Sequence, residues 1–372
     1  MSVTCQKIMD IMERLAPCQL AEEWDNVGLL IGDPGARVEG VLVSLDLTVQ
    51  VMEEARARGA NLILVHHPPI FQPLKQLRTD TPLGRLVAGI IRENMQVYAA
   101  HTNLDVVPLG VNEQLARKLG LVETEILQVS GEDRLFKLVV FVPDSHEVKV
   151  RQSLGDAGAG WIGNYSHCTF RLHGTGTFRP LEGADPFLGQ VGRLEEAAEY
   201  RLETIVPETQ LKKVVKALLA SHPYEEVAYD LYPLSNRGIE YGLGRVGKLI
   251  EPVPFSAFIE YVKLRLGTGP LKVAGNPEMR VERVAVCGGA GGSLVSRAAL
   301  QKAQVFVTGD VGHHQVQEAL ALGLGVIDAG HYATERVVLN PLVDYLKEAL
   351  SGQSPVPAVF SSEINSEPWE LF

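Results

Sequence analysis

Cysteine is scarce in this chain: Cys5, Cys18, Cys168 and Cys287 are the only four in 372 residues. None forms a Cys-x-x-Cys pair, which argues against a disulfide framework or a thiolate zinc knuckle. Long apolar runs are also missing, and no stretch approaches the ~18 residues of a membrane span. Positive charge is in deficit, with a formal net charge of -11. Nonspecific binding to nucleic acid or an anionic membrane wants the opposite sign. No Gly-x-Ser-x-Gly elbow occurs, which speaks against a serine hydrolase of the α/β-hydrolase kind. Over residues 1–15, Lys7, Asp10, Glu13 and Arg14 alternate with apolar residues at helical spacing, which predicts an amphipathic helix and not a signal peptide. The expectation is a reducing, cytoplasmic setting without membrane or nucleic-acid partners.

What is present is an ordinary globular composition, 46% hydrophobic and 21% charged, able to bury a sizeable core. The length suits two or three domains. Through residue 129, short apolar runs alternate with helical stretches. Runs at 40–46, 61–65 and 96–100 predict buried strands, and 49–58 and 82–94 predict helices. From residue 236 the same grammar returns, with strands at 283–287, 304–308 and 325–328 and a helix at 296–302. Alternating strands and helices predict a parallel α/β sheet. The two regions read as one unit used twice, because Ala100-His101-x-x-x-Asp105 matches Gly330-His331-x-x-x-Glu335. Between them, residues 130–235 carry strands and helices in the order βαββαβ, a ferredoxin-like pattern. The expected fold class is therefore α/β. Duplicated three-layer halves (1–129 and 236–372) form one metal-binding domain, interrupted by an inserted ferredoxin-like domain (130–235).

Six of the ten histidines follow apolar runs: His66, His67, His101, His313, His314 and His331. These loops lie at the carboxyl ends of predicted parallel strands, where open α/β sheets place ligands. Imidazole nitrogens and carboxylate oxygens suit zinc and similar divalent ions. Adjacent histidines in an extended segment point to opposite sides, so His66 and His67 could each serve a different ion. A carboxylate reaching both ions could bridge them. A single strand-end histidine is usually an ordinary loop residue. The His-His pair combined with two His-x-x-x-acid loops favours a metal site. Asp46 and Asp310 are strand-end carboxylates suited to orienting imidazoles. His313 and His314 are expected near the site without being ligands. The run Cys287-Gly-Gly-Ala-Gly-Gly-Ser293 could cradle a phosphate or could simply be a tight turn; it lacks the strict G-x-G-x-x-G spacing. Trp24-Asp25-Asn26 could be a substrate-side loop or a helix-capping turn. Tyr224-Glu225-Glu226 reads as a solvated turn.

Taken together, Glu23-Trp-Asp-Asn-Val-Gly-Leu29, Leu64-Val-His-His-Pro-Pro69, Ala100-His-Thr-Asn-Leu-Asp105, Gly309-Asp-Val-Gly-His-His314 and Asp328-Ala-Gly-His-Tyr-Ala-Thr-Glu335 resemble the NGG-interacting-factor family. Its members are known as dinuclear-metal proteins or GTP cyclohydrolase 1 type 2 homologues. The resemblance spans both outer regions. It implies two divalent ions, zinc first, with iron, manganese, cobalt and nickel also compatible. His67 and Asp105 would hold one ion, His66 and His331 the other, with Glu335 bridging and His101 nearby as a proton carrier. It further implies a homohexameric ring with its metals facing a central cavity, and an insert similar to P-II and CutA proteins.

Two functions follow from these readings. One is a metal-dependent hydrolase acting on GTP or another nucleotide. The other is a non-enzymatic metal-binding regulator that docks a partner through the insert. Nucleic-acid binding through a ring cavity is the least supported, because the net charge opposes it.

Overall fold

The computed structural model describes residues 2–370; Met1, where the predicted first helix would begin, lies outside them. The chain is mixed α/β and divides into two compact units. One runs through Ser130 and resumes at Tyr241; the other is Gly131–Glu240.

The first unit opens with α1 (Cys5–Leu15), β1 (Gly28–Ile31), β2 (Gly40–Ser44), α2 (Val49–Ala57), β3 (Leu62–Val65), α3 (Pro82–Arg92) and β4 (Gln96–Ala99). Then come α4 (Thr102–Val106), α5 (Val111–Lys118) and β5 (Val122–Asp133). Local chemistry starts the helices: the Thr48 and Thr81 side chains accept the backbone N–H of Val51 and Gly84, and Pro82 occupies the first turn of α3. The second unit holds β6 (Leu135–Pro143), α6 (Glu147–Asp156), β7 (Thr169–Phe178), β8 (Glu195–Pro207), α7 (Glu208–Ser221) and β9 (Tyr229–Pro233). The chain then adds β10 (Ile239–Pro254), α8 (Phe255–Leu266), β11 (Lys272–Ala274), β12 (Arg280–Ala290), α9 (Val295–Leu300) and β13 (Val305–Gly309). It ends with α10 (His313–Ala321), β14 (Gly325–Asp328), α11 (His331–Glu335), α12 (Leu339–Leu350) and β15 (Ala358–Ser361).

Two sheets build the first unit. In the five-stranded sheet, ordered β1-β4-β3-β2-β15, β4, β3, β2 and β15 run parallel and β1 is antiparallel. Strands β2 and β3 are buried on both faces, which is why they read as unbroken apolar runs. Val41, Val43, Leu62 and Leu64 pack on Ile8, Ile11 and Leu346, while Leu42, Ile63 and Val97 pack on Val51, Val87 and Ile90. The six-stranded sheet, ordered β11-β14-β13-β12-β10-β5, has a parallel centre of β12, β13 and β14. Val286, Val307 and Ile327 meet Leu115, Phe258 and Val262 on one face; Ala285, Phe306 and Val326 meet Val295, Ala298 and Ala319 on the other. Buried Arg245 of β10 donates to Glu113 of α5 at 3.0 Å and to the carbonyls of Gly242 and Gly244, so its charge is paired.

The second unit is one antiparallel sheet, ordered β7-β8-β6-β9, with α6 and α7 supplying its core against Leu138, Val140 and Leu202. Among the described residues no helix is long and apolar enough to cross a membrane.

The edge strands β1 and β15, and the long β5 and β10, are absent from the sequence expectation. β1 is antiparallel and lies within a motif, and β15 is a short segment beyond the last helix. Neither carries the alternating grammar by which the central strands were read.

Candidate metal centre

The carboxyl ends of the central strands deliver the site. His66 and His67 follow β3 directly, His101 follows β4 and precedes α4, and His331 opens α11 after β14. Asp105 and Glu335 lie four residues beyond His101 and His331, one helical turn along, so each acid returns to the same face as its histidine. The structure brings His66, His67, His101, Asp105, His331 and Glu335 together. In each of two triads, His66–His67–His101 and His67–His331–Glu335, the ligand-type atoms lie within 4.8 Å of one another. His313 and His314, at the start of α10, are exposed and belong to neither triad.

Every imidazole in the cluster is held by its Nδ1. His66 donates to the Ala100 carbonyl at 2.8 Å, His67 to Asp46 at 2.8 Å, His101 to Asp25 at 2.9 Å and His331 to Asp310 at 2.7 Å. Each bond fixes the tautomer and leaves Nε2 for the cluster. His331 Nε2 stands 3.3 Å from His67 Nε2 and 3.1 Å from Glu335 Oε1. His66 Nε2 lies 3.6 Å from Asp105 and 3.8 Å from Glu335 Oε1. Glu335 Oε2 approaches His67 Nε2 to 2.9 Å. By geometry, His66 Nε2 and Glu335 Oε2 are buried polar atoms without an aligned hydrogen-bond partner. Buried polar groups normally find partners, and a cation held by these nitrogens and oxygens would supply one.

The sequence and the architecture have relatives among known proteins. Residues 3–368 match the model of Duf34/NIF3 (NGG1p interacting factor 3). The chain belongs to the Duf34/NIF3 family. It is 44% identical over 364 residues to a GTP cyclohydrolase 1 type 2 homolog of Halalkalibacterium halodurans, covering 98% of each chain. It is 43% identical over 368 residues to one from Bacillus subtilis, covering 99% of this chain and 98% of the relative. A crystal structure of a Bacillus cereus protein related to NIF3 superposes with a TM-score of 0.86 at 42% identity over the full length of both chains.

The electrostatics of this NIF3-family cluster describe a site short of positive charge. Burial alone would raise Glu335, yet His66, His331 and His67 hold its carboxyl well below the usual carboxylate range. Burial lifts Asp105 to about 6 against the attraction of His66. Burial would lower His67, but the Asp46 hydrogen bond and the adjoining Glu335 carboxylate raise it to about 10. The Glu335 hydrogen bond, partly opposed by burial, raises His331 to about 9. Without an ion, protons on the histidines neutralise the carboxylates.

Several contributors were not foreseen from sequence. Asp25, whose side chain is fully buried, accepts from both His101 and the Thr102 N–H at the start of α4, so it orients and caps at once. Ser366, from the segment after β15, donates to the Asp46 carboxylate that holds His67. The Gly-rich run is the end of β12 followed by a single 3-10 turn, and three of its N–H groups are occupied by the protein, not open to a phosphate. The N–H groups of Gly288, Gly289 and Gly291 are already taken by Asn112, Thr334 and Thr308. Gly289 has φ +62°, and a Cβ there would lie 2.3 Å from Glu335 Oε1. Glycine is required because the carboxylate packs against its backbone. The Glu23-Trp24-Asp25-Asn26 motif was the available signal for Asp25 and the Gly-rich run that for Gly289, without its contact to Glu335; no local pattern marked Ser366.

Trp24 and Phe71 stack near one another, with centroids 5.5 Å apart, and both lie edge-on to His101. Beside His331 a cavity of about 650 Å³ is lined by Lys272, Tyr332, Arg336 and Trp369 among others.

Proposed function

We propose that the chain is a dinuclear metal-dependent hydrolase acting on a nucleotide such as GTP. One observation carries the reading: a buried cluster in which four imidazoles, each pinned through Nδ1, converge on two carboxylates and leave His66 Nε2 and Glu335 Oε2 unsatisfied. The donor set of nitrogen and oxygen without sulfur suits zinc first, and also iron, manganese, cobalt or nickel. Glu335 turns Oε1 toward His66 and His331 and Oε2 toward His67. By distance His66 lies beside Asp105 and His67 beside His331, with Glu335 reaching both pairs, which differs from the allocation that the family resemblance implies; these five residues would hold the ions. A bound pair of ions would supply Lewis-acid activation of an electrophilic carbon or phosphorus.

The chain's own residues do the rest. His101 accepts and returns a proton at Nε2, because Nδ1 is committed to Asp25. Burial would raise Asp25, but hydrogen bonds from His101 and Thr102 hold its carboxyl down to about 2, so it stays ionised and keeps its hold on the His101 Nδ1–H. Trp24 and Phe71 wall the outer side of His101. Lys272, Arg336 and Trp369 suit the phosphates and base of a nucleotide entering beside His331.

Two elements of the architecture support a duplicated origin: α4 and α11 are both five-residue helices at the end of a parallel strand, each with a histidine at or just before its start and an acid in its last turn. The β7-β8-β6-β9 order with α6 and α7 on one face supports a ferredoxin-like insert.

The test is elemental analysis of wild type and of the five single-alanine variants at His66, His67, Asp105, His331 and Glu335, followed by turnover of GTP. Two ions per wild-type chain and metal-dependent turnover are expected. Turnover that survives Glu335→Ala would defeat the hydrolase reading. Asp25→Asn should leave metal content unchanged while lowering turnover roughly 100-fold, because His101 loses its tautomer; equal turnover would remove His101 from the mechanism. Gly289→Ala should lower metal affinity by about tenfold or more by displacing Glu335, on the scale of lost ligand support. A chelator-competition titration reads this directly.

A further inference from the structure

We propose that the Gly131–Glu240 unit carries a second ligand site, which binds a small organic cation: an amine with an apolar body. The site is independent of the metal cluster and does not rest on the reading of it.

Between β7 and β8 the chain runs through residues 179–194 without helix or strand. With the ends of both strands and the segment after α7, it encloses a cavity of about 510 Å³, within the range of small-molecule sites. Phe141, Phe178, Phe187, Leu188 and Tyr224 give it an apolar lining. Phe178 and Phe187 both lie 6.1 Å from the Tyr224 ring, so three aromatic faces or edges surround one space.

Glu199 makes this cavity more than a greasy hollow. It lines the cavity and is only 7% exposed. Its Oε1 accepts the Tyr224 phenol at 2.8 Å. Burial and the Glu199 carboxylate push that phenol far above its ordinary range, so Tyr224 is a donor and Glu199 the acceptor. Oε2 accepts no hydrogen bond and Glu199 has no ion-pair partner among the described residues; Oε2 is not a fully enclosed atom, and its residue lines the cavity. A Cβ on Gly176 would fall 2.0 Å from Oε2. Glycine on β7 thus makes the room in which this carboxylate lies. A largely buried carboxylate whose second oxygen accepts nothing from the protein has an acceptor left for a ligand's donor.

Charge selects the ligand. Glu199, Glu225 and Glu226 line the cavity against Arg179 alone, so an anion is disfavoured and a cation favoured. Glu225 also accepts the Asp185 N–H, tying the irregular segment across the opening. Aromatic rings beside a carboxylate recognise ammonium groups through cation–π attraction and a charge-assisted hydrogen bond. Tyr224-Glu225-Glu226 is therefore not only a solvated turn: the two glutamates are exposed, while Tyr224 is half-buried against His222 and Glu199.

The test is calorimetric titration of the full-length protein with 2-phenylethylamine, hexylamine and tetraethylammonium, and with phenylacetate as the size-matched anion. Saturable binding of at least one cation is expected, with phenylacetate weaker by tenfold or more. Glu199→Gln should weaken the cation about tenfold. Phe187→Ser, at an exposed ring with no part in the folding core, should weaken it too, so a Glu199 variant that misfolds does not leave the matter open. The proposal is overturned if none of the three cations binds saturably at millimolar concentration, if phenylacetate binds equally well, or if binding survives Phe187→Ser unchanged.

Discussion

Glu335→Gln is expected to reduce metal content below one ion per chain and to weaken the remaining affinity more than ~100-fold. Substitutions of residues that merely orient ligands cost ~10–100-fold, and Glu335 touches the cluster directly. Its carboxylate lies within 3.1 Å of His331 and 2.9 Å of His67 and is 4% exposed, so no water-exposed group can substitute for it. Glutamine keeps the shape and hydrogen-bonding capacity but not the charge, which separates ligand loss from collapse of the core. Thermal melting should show the variant folded. His314→Ala, at an exposed histidine outside the cluster, serves as the unchanged control. Elemental analysis after dialysis provides the readout. Two ions retained at wild-type affinity would remove Glu335 from the site.

The second large effect is on pH. In the metal-free chain His67 is raised to about 10 and His331 to about 9, from an ordinary 6.5. Both therefore carry protons at neutral pH, and an ion can bind only by displacing them. Each displaced proton makes the apparent affinity rise tenfold per pH unit, so loading of the pair should strengthen roughly 100-fold per unit between neutrality and about pH 9. It should flatten above about pH 10. Calorimetry in buffers of different ionisation enthalpy would count the protons released. A pH-independent affinity across this window would contradict the assignment. The same shifts act on folding. A raised histidine stabilises the metal-free fold below its unfolded value, and that stabilisation is lost as pH rises through about 9 to 10. Metal-free protein should thus lose stability between about pH 6.5 and about pH 9 to 10 and level off above, and metal-loaded protein should not, because the ions replace the protons.

Legibility differed between parts of the site. His66 and His67 could be read because Leu62–Val65 is an uninterrupted apolar run that ends at them. A strand buried on both faces must end where polar groups begin, and that edge is where ligands sit. His331 and Glu335 could be read because a spacing of four places both on one helix face. Aspartates 46 and 310 followed from the same edge. The phosphate-cradle alternative for the Gly-rich run was equally open from composition, since glycine serves both uses. Only the partners of its N–H groups decide between them, and they come from Asn112, Thr334 and Thr308 on other elements.

The sequence by itself determined which residues could ligate an ion, because ligand type and strand-end position are local properties. It determined the central strands and most helices for the same reason. Tertiary structure alone decided that these residues meet. His67 and His331 are separated by 264 positions yet stand 3.3 Å apart. It also decided how they are held. Asp25 reaches His101 across 76 positions and Ser366 reaches Asp46 across 320. Such contacts are set by sheet order and by which strand ends face each other, and no local periodicity encodes them. The candidate metal centre is thus written in the sequence as a list of donors. Its orientation, its burial and its demand for positive charge come from the packing of the two sheets.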